Sequence, residues 1–100
     1  MENLEQIAFS LISDAGDAQA LMMQALESVK IGDYEHANTL MVEAEEKMHK
    51  AHRVQTGLIK KEAEGEKDQC TVLIAHSLDY LMNAMLAKKL VQEIIYLHKK

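Results

Sequence analysis

Apolar residues recur at intervals of three and four positions along almost the whole chain, and no proline interrupts them. This spacing places apolar side chains on one face of an α-helix, because the helix completes a turn every 3.6 residues. Ala, Leu, Met, Glu and Lys are frequent, and these residues lose little conformational freedom in a helix. The sequence therefore predicts an all-α fold built from a few long helices.

Two breaks that contain glycine divide the chain into three segments. Gly32 has the place of a residue just past a helix end, and Asp33 can cap the helix that follows. Gly65 lies in a second polar stretch, where Asp68 is the expected cap. The segments are roughly residues 3–31, 34–64 and 69–98. Short connections between long helices favour antiparallel neighbours, so we expect residues 1–100 to form one domain, an antiparallel three-helix bundle.

The third segment differs from the first two, which each have a single apolar face. One stripe follows helical spacing along it, through Val72, Ala75, Asp79, Met82, Leu86, Leu90, Ile94 and Leu97. Further apolar residues lie off that stripe: Leu73, Ile74, Leu78, Leu81, Met85, Val91 and Ile95. A helix that is apolar nearly all round needs cover on every side, which two one-faced neighbours cannot supply. Apolar surface left exposed is typical of an interface, so we expect self-association through the third helix.

Charge and composition exclude several classes of function. The formal net charge is −5 and the basic residues are scattered, which argues against nucleic acid or anionic lipid as a partner. No apolar run approaches the length of a membrane span, and the N-terminus does not resemble a signal peptide. The single cysteine, Cys70, cannot form an intramolecular disulfide. We expect a cytoplasmic protein without membrane insertion, with Cys70 in a structural role.

Asp79 lies in the middle of the apolar stripe. A buried carboxylate without a partner is costly or takes up a proton. In a symmetric oligomer, copies of Asp79 would meet and repel one another, so a bound cation or a shared proton would be needed. An equally open interpretation is an ion pair between Asp79 and a Lys or His of a neighbouring helix.

His76 precedes Asp79 by three residues, which puts the two on neighbouring positions of one helix face. An aspartate beside a histidine can fix the tautomer of the imidazole and leave its other nitrogen as a nucleophile. Spacing alone favours the alternative, a histidine packed in the core. Glu46 and His49 match the Glu-x-x-His pattern of di-metal bundles, but such sites need a second copy, which the chain lacks.

Several short stretches occur together in this chain. They are Ala15-Gly16-Asp17-Ala18, Gly32-Asp33-Tyr34, Ala51-His52 with Gln55-Thr56-Gly57, the acidic run from Glu62 to Glu66, and His76-x-x-Asp79-x-Leu81-Met82. In this order and at this spacing, the chain resembles the enzyme IIA component of the lactose/cellobiose (chitobiose) class of the bacterial phosphoenolpyruvate-dependent phosphotransferase system. The resemblance extends from about residue 7 to residue 98.

The resemblance implies a phosphocarrier that forms a homotrimer of three-helix protomers. His76 would accept a phosphoryl group from phospho-HPr, on its tele nitrogen, and pass it to a cysteine of enzyme IIB. The IIC membrane permease would then use it during uptake of a β-linked disaccharide. Asp79 would lie at the trimer axis, where the copies from all subunits bind a divalent metal ion, Mg²⁺ in our prediction.

Other residues around this chemistry are also predicted. Gln55 is the candidate hydrogen-bond donor to the phosphoryl group, with His52 as its support. The family usually has Gln at the position of Leu78 and His at that of Tyr80, and these differences bear on partner specificity more than on the chemistry. The alternative function is a non-catalytic structural or adaptor trimer, in which His76 is a core residue.

Overall fold

Three α-helices make up the fold of the protein, which is described by a computed structural model that covers residues 3–65 and 72–100. They are α1 (Leu4–Lys30), α2 (Tyr34–Ala63) and α3 (Val72–Lys99). The predicted all-α fold with three long helices is confirmed. Three residues singled out from the sequence lie outside the described residues: Glu66 of the acidic run, Asp68 and Cys70.

A capping box begins α1. The Asn3 side chain accepts a hydrogen bond from the Gln6 backbone N–H at 2.8 Å, and the Asn3 backbone N–H donates to the Gln6 side chain at 3.2 Å. These two bonds satisfy backbone donors that have no partner within the helix. The start of α1 is therefore fixed by local side-chain hydrogen bonds.

The turn between α1 and α2 follows the predicted Gly32-Asp33 pattern. Gly32 has a φ of 80°, which is in the left-handed region that favours glycine. Its N–H donates to the Val29 carbonyl and the Asp33 N–H donates to the Ser28 carbonyl, both at 2.9 Å, as in a Schellman motif. The Asp33 side chain then caps α2 by accepting from the His36 N–H at 3.1 Å. So short a turn returns α2 along α1.

Contacts along the helices confirm the antiparallel arrangement. In the middle of α1 and α2, Asp17 Oδ2 lies 3.7 Å from Lys47 Nζ. Between α2 and α3, Tyr34 at the start of α2 shares a 2.9 Å hydrogen bond with His98 at the end of α3. The direction of the chain therefore alternates, and α1 and α3 run parallel. The described residues form a rod of 50 × 20 × 19 Å.

The core lies along α1, which packs against both other helices, whereas α2 and α3 contact each other only sparsely. The α1 residues that are almost completely buried are Ala8, Leu11, Ala15, Ala18, Met22, Ala25 and Val29. Four of these seven are alanines, and small side chains let the neighbouring backbones approach closely. A shallow groove between α2 and α3 is left on the side away from α1.

The third helix turns one of its two apolar sets inward. Ile74, Leu81, Ala84 and Val91 are buried against the core. The predicted stripe, which we call the α3 stripe (Val72, Ala75, Asp79, Met82, Leu86, Leu90, Ile94 and Leu97), is exposed throughout. Its large side chains from Met82 to Leu97 keep 49% to 64% of their surface accessible. The expectation that two neighbouring helices cannot cover this helix is confirmed.

Membrane insertion was not expected from the sequence. Among the described residues, none of the helices has the length and apolarity needed to cross a bilayer.

Candidate functional site

His76 lies in the second turn of α3 and points away from the core. The buried face of that part of the helix is formed by Ile74, Ser77 and Leu81, and the Ser77 hydroxyl donates to the Ile74 carbonyl at 2.7 Å. At 100° per residue, His76 falls on the opposite side of the helix from these positions, and its side chain is exposed. The interpretation of His76 as a packed core histidine is therefore wrong for the protomer. An imidazole in this position can be reached by another protein.

The His76 ring has one recorded contact within the described part of the chain. The rings of His76 and Tyr80 meet in a T-shaped arrangement, with 6.1 Å between their centroids and 72° between their planes. No hydrogen bond or ion pair joins the imidazole to another described residue. Within residues 3–65 and 72–100, no side chain occupies either ring nitrogen, so a reactant can approach both.

Tyr80 is half-buried between His76 and α1. Its hydroxyl oxygen lies 3.5 Å from the place that a Cβ on Gly16 would take, so the phenol end rests against the α1 backbone. Sequence analysis identified Gly16 and Tyr80 separately and missed this contact. The available signal was a glycine inside an otherwise apolar helix stripe, which often marks a close approach of another element.

Asp79 is exposed on the α3 stripe, with apolar neighbours above and below it. Among the described residues, none of the recorded ion pairs or hydrogen bonds involves its carboxylate. The interpretation in which Asp79 pairs with a Lys or His of a neighbouring helix is therefore wrong within the protomer, and no hydrogen bond ties Asp79 to His76. Its carboxylate remains available to a cation or to a second copy of the chain.

Gln55 and His52 lie on the α2 side of the α3 stripe, whereas His76 and Tyr80 lie on its α1 side. The Gln55 amide nitrogen is 3.7 Å from the Met82 sulfur, in the direction of α2. Met82 is six residues beyond His76, which corresponds to about 9 Å of helix rise. The structure does not bring Gln55 or His52 into contact with His76 within one protomer, so their predicted roles require another subunit.

The groove between α2 and α3 encloses about 350 Å³ and lies apart from His76. Its lining comprises Glu45, Met48, His49, His52, Met85, Lys88, Lys89 and Gln92. The Lys88 ammonium is 3.1 Å from the Glu45 carboxylate, and its hydrogen bond and charge lower the pKa of Glu45. His49 lies 3.5 Å from the same carboxylate and lowers the pKa further when charged.

A di-metal site was not expected from the sequence, because such sites need two Glu-x-x-His copies and the chain has one. Its candidate ligands, Glu46 and His49, are both exposed on the outer part of α2. Within residues 3–65 and 72–100, no cluster of three or more His, Cys, Asp or Glu side chains could hold a metal ion.

The protein is similar to known proteins in both sequence and structure. Residues 6–99 match the family described as the lactose/cellobiose-specific IIA subunit of the PTS system. The chain is 43% identical to the lichenan-specific phosphotransferase enzyme IIA component of Bacillus subtilis, over 99% of this chain and 90% of that protein. Both matches extend over almost the whole chain, including all three helices.

Two solved structures are also similar. One is the crystal structure of the cellobiose-specific enzyme IIA of Bacillus anthracis, with a TM-score of 0.92 and 43% identity over 99% of this chain and 92% of that chain. The other is IIA(Chitobiose) of Escherichia coli, solved in solution in its complex with HPr. It has a TM-score of 0.86 and 35% identity, over 99% of this chain and 96% of that chain.

Proposed function

Because the chain belongs to the lactose/cellobiose-specific IIA family of the phosphotransferase system, we propose that His76 carries a phosphoryl group from phospho-HPr to enzyme IIB. Membership makes the protein a phosphotransferase component. The observation that supports the role of His76 is its exposed imidazole on α3, with open ring nitrogens beside an apolar surface. A carrier needs such a group, because two different partners must reach it in turn.

Each of the two transfer steps is a substitution at phosphorus. The tele nitrogen of neutral His76 attacks in line and forms the new N–P bond, while the bond from phosphorus to HPr breaks and HPr keeps the electron pair. In the second step the thiolate of the IIB cysteine forms an S–P bond, and the bond to His76 breaks. The proton that the His76 ring loses on phosphorylation goes to the HPr leaving group, and His76 regains a proton from the cysteine thiol. Histidine thus returns to its neutral state with no other reactant consumed. The protein contributes mainly position and access.

HPr and IIB dock on overlapping surfaces in this proposal. The similar IIA(Chitobiose) was solved as a complex with HPr, which supports HPr as the donor here. Transient complexes of this kind bury modest areas, so that partners can exchange. The IIC permease is an indirect partner that uses the phosphoryl group during uptake of a β-linked disaccharide, and the relay operates in the cytoplasm.

A homotrimer buries the α3 stripe of each protomer around a common axis. A cyclic trimer has heterologous interfaces, in which one edge of a subunit meets the other edge of the next. Assembly around the stripe therefore places the α1 edge of one subunit, with His76 and Tyr80, beside the α2 edge of its neighbour. Gln55 and His52 lie on that α2 edge. Their proposed support of the phosphoryl group thus comes from the adjacent subunit.

Asp79 is the proposed ligand of a divalent metal ion at the trimer axis. The residue fits this role because its exposed carboxylate has no recorded partner among the described residues and stands in the middle of an apolar stripe that the trimer buries. Carboxylate oxygens are the ligands that Mg²⁺ prefers. The ion would neutralise the carboxylates that meet there, which is a structural contribution and not a step of the transfer.

The proposal is tested by incubating the purified protein with phosphoenolpyruvate, enzyme I and HPr, and measuring its intact mass. We expect a gain of about 80 Da, the mass of one phosphoryl unit, that is lost in acid. His76→Ala should fold and assemble but gain nothing, whereas His49→Ala, which removes another exposed histidine, should gain the same mass as the wild type. A gain retained by His76→Ala would refute the assignment of the residue.

A non-catalytic structural trimer is the competing function. It accounts for the α3 stripe but gives no role to the exposed His76. Absence of any mass gain in a wild-type protein shown to be folded and trimeric would support this alternative.

A further inference from the structure

The orientation of the His76 side chain depends on packing. Its imidazole is exposed, and no hydrogen bond to another described residue holds it. An exposed side chain without such a bond ordinarily samples several rotamers. In-line attack on phosphorus requires one ring nitrogen to be aimed at the incoming group, so the reacting rotamer must be favoured by something else. The recorded contact that could favour it is the T-shaped meeting with Tyr80.

Tyr80 is itself held in place, which is what allows it to orient a neighbour. It packs against the core cluster, and its hydroxyl end stops against α1 at Gly16. A Cβ at Gly16 would lie 3.5 Å from the Tyr80 hydroxyl oxygen and 3.9 Å from Cζ. The phenol therefore spans the distance from α1 to His76. The spacing of four residues brings Tyr80 and His76 to neighbouring positions on α3.

We propose that Tyr80 is a positioning residue, which holds the His76 imidazole in the rotamer that accepts the phosphoryl group. The proposal rests on the proposed function of His76. Edge-to-face aromatic pairs with centroids between about 4.5 and 7 Å apart are favoured over other relative orientations, and the 6.1 Å and 72° of this pair fall in that class. The contact between the two rings thus favours one His76 rotamer before any partner protein binds.

The aromatic ring, and not the hydroxyl, carries this role. The hydroxyl is directed to α1 and has no recorded hydrogen-bond partner among the described residues. The face or edge of the ring is what meets His76. A phenylalanine in place of Tyr80 would therefore keep the effect, whereas a leucine would keep apolar bulk and lose the aromatic geometry.

The test combines kinetics with a direct measurement of the contact. Tyr80→Leu and Tyr80→Phe are compared with the wild type in phosphorylation by phospho-HPr, followed by rapid quench and mass measurement. We expect Tyr80→Leu to lower the rate at saturating phospho-HPr by about 10- to 100-fold, with the half-saturating concentration changed by less than about threefold. Tyr80→Phe should remain within about threefold of the wild type. Tyr96→Leu is the matched control, since Tyr96 is an exposed tyrosine on the same helix.

Nuclear Overhauser effects between the ring protons of His76 and Tyr80 provide the second readout, in protein without phosphate. They should be present in the wild type, and Tyr80→Phe should show the same effects between His76 and its substituted ring. Gly16→Leu should weaken both these effects and the saturated rate, because its side chain would displace the phenol. Gly57→Leu is its control, since nothing lies within 4 Å of a Cβ at Gly57.

The outcomes separate this proposal from the function on which it rests. A wild type that takes no phosphoryl group refutes the proposed function, and the ring-proton effects then still decide whether Tyr80 orients His76. A Tyr80→Leu variant that is as fast as the wild type overturns the positioning role. A Tyr80→Phe variant as slow as Tyr80→Leu overturns it too, because the hydroxyl would then be the group that matters.

Discussion

Gly16, next to Tyr80, is a position where a substitution can raise the stability of the fold without disturbing the site. It lies inside α1 with ordinary helical backbone, since the glycines with positive φ among the described residues are Gly32 and Gly65. Glycine in a helix costs about 1 kcal/mol relative to alanine. A Cβ at Gly16 would lie 3.5 Å from Tyr80, which is normal van der Waals contact. We expect Gly16→Ala to raise the free energy of unfolding by up to about 1 kcal/mol in urea denaturation.

Two other glycines serve as controls for that prediction. Gly57 lies in α2 with open space around the place of a Cβ, so Gly57→Ala should raise the free energy of unfolding by a similar amount. Gly32→Ala should lose stability instead, by about 1 kcal/mol, because its φ of 80° is strained for any residue with a Cβ. A loss of stability in Gly16→Ala would mean that Tyr80 leaves no room for a methyl group.

At the scale of single residues, the site could be predicted only in part. The spacing of His76, Asp79 and Tyr80 is local, so their nearness on α3 followed from helix geometry. Whether His76 faces the core or solvent depends on which side of α3 packs on α1, and the spacing wrongly favoured the core. The contact of Tyr80 with Gly16 joins residues far apart in sequence, which no periodicity reveals.

The ion pair of Glu45 with Lys88 connects α2 to α3 at the groove where the two helices otherwise contact little. The pKa of Glu45 is lowered in the folded protein, chiefly by the Lys88 hydrogen bond and charge. The pair therefore stabilises the fold above the ordinary glutamate pKa, and this contribution is lost as the pH falls through the lowered pKa. We expect Glu45→Gln to lower the melting temperature slightly at pH 7 and to have no effect in acid. The change is small because water still reaches both side chains, which are only half-buried, and screens the pair.

Glu62→Gln is the control for this comparison, since it removes an exposed carboxylate of α2 for which no ion pair is recorded among the described residues. It should leave the difference between pH 7 and acid unchanged. Equal melting temperatures for the wild type and Glu45→Gln at neutral pH would show that the pair contributes nothing.

At the scale of helices, the sequence predicted the ends of α1 and α2 to within one residue, because Gly32, Asp33 and Gly65 act through local backbone geometry. It also identified the α3 stripe as one continuous face. It could not decide which of the two apolar sets of α3 faces the bundle. That choice depends on how α3 meets the alanine-rich side of α1, and this fit is a property of the pair of helices.

At the scale of the whole molecule, the exposed α3 stripe predicts that the protein forms an oligomer and does not act as a single protomer. Leu86 has 56% of its surface accessible in the protomer and lies in the middle of the stripe. A glutamate there costs the isolated protomer little, but it would place charges together in a buried trimer seam. We expect Leu86→Glu to shift the mass measured by light scattering from trimer to monomer. Met23→Glu, at an equally exposed apolar position on α1, should leave the trimer intact.

A trimeric mass retained by Leu86→Glu would mean that another surface joins the subunits.

The metal proposed at the trimer axis makes a separate prediction. Asp79→Leu should keep the apolar seam and the trimer, and it should lose bound metal when the protein is dialysed and analysed by elemental mass spectrometry. Since a ligand that binds only the folded state raises the melting temperature, a chelator should lower that temperature in the wild type and not in Asp79→Leu. Equal metal content and an equal response to the chelator would contradict the axial role of Asp79.

If His76 carries a phosphoryl group between two partners, the group itself can be followed from one protein to the next. Phosphorylated protein is purified away from its donor and mixed separately with unphosphorylated HPr and with enzyme IIB, and every intact mass is recorded over time. We expect about 80 Da to leave this protein and to appear on each acceptor, with none transferred from His76→Ala carried through the same procedure. Phosphate that stays on the protein, or that is released only as inorganic phosphate, would contradict this role of His76.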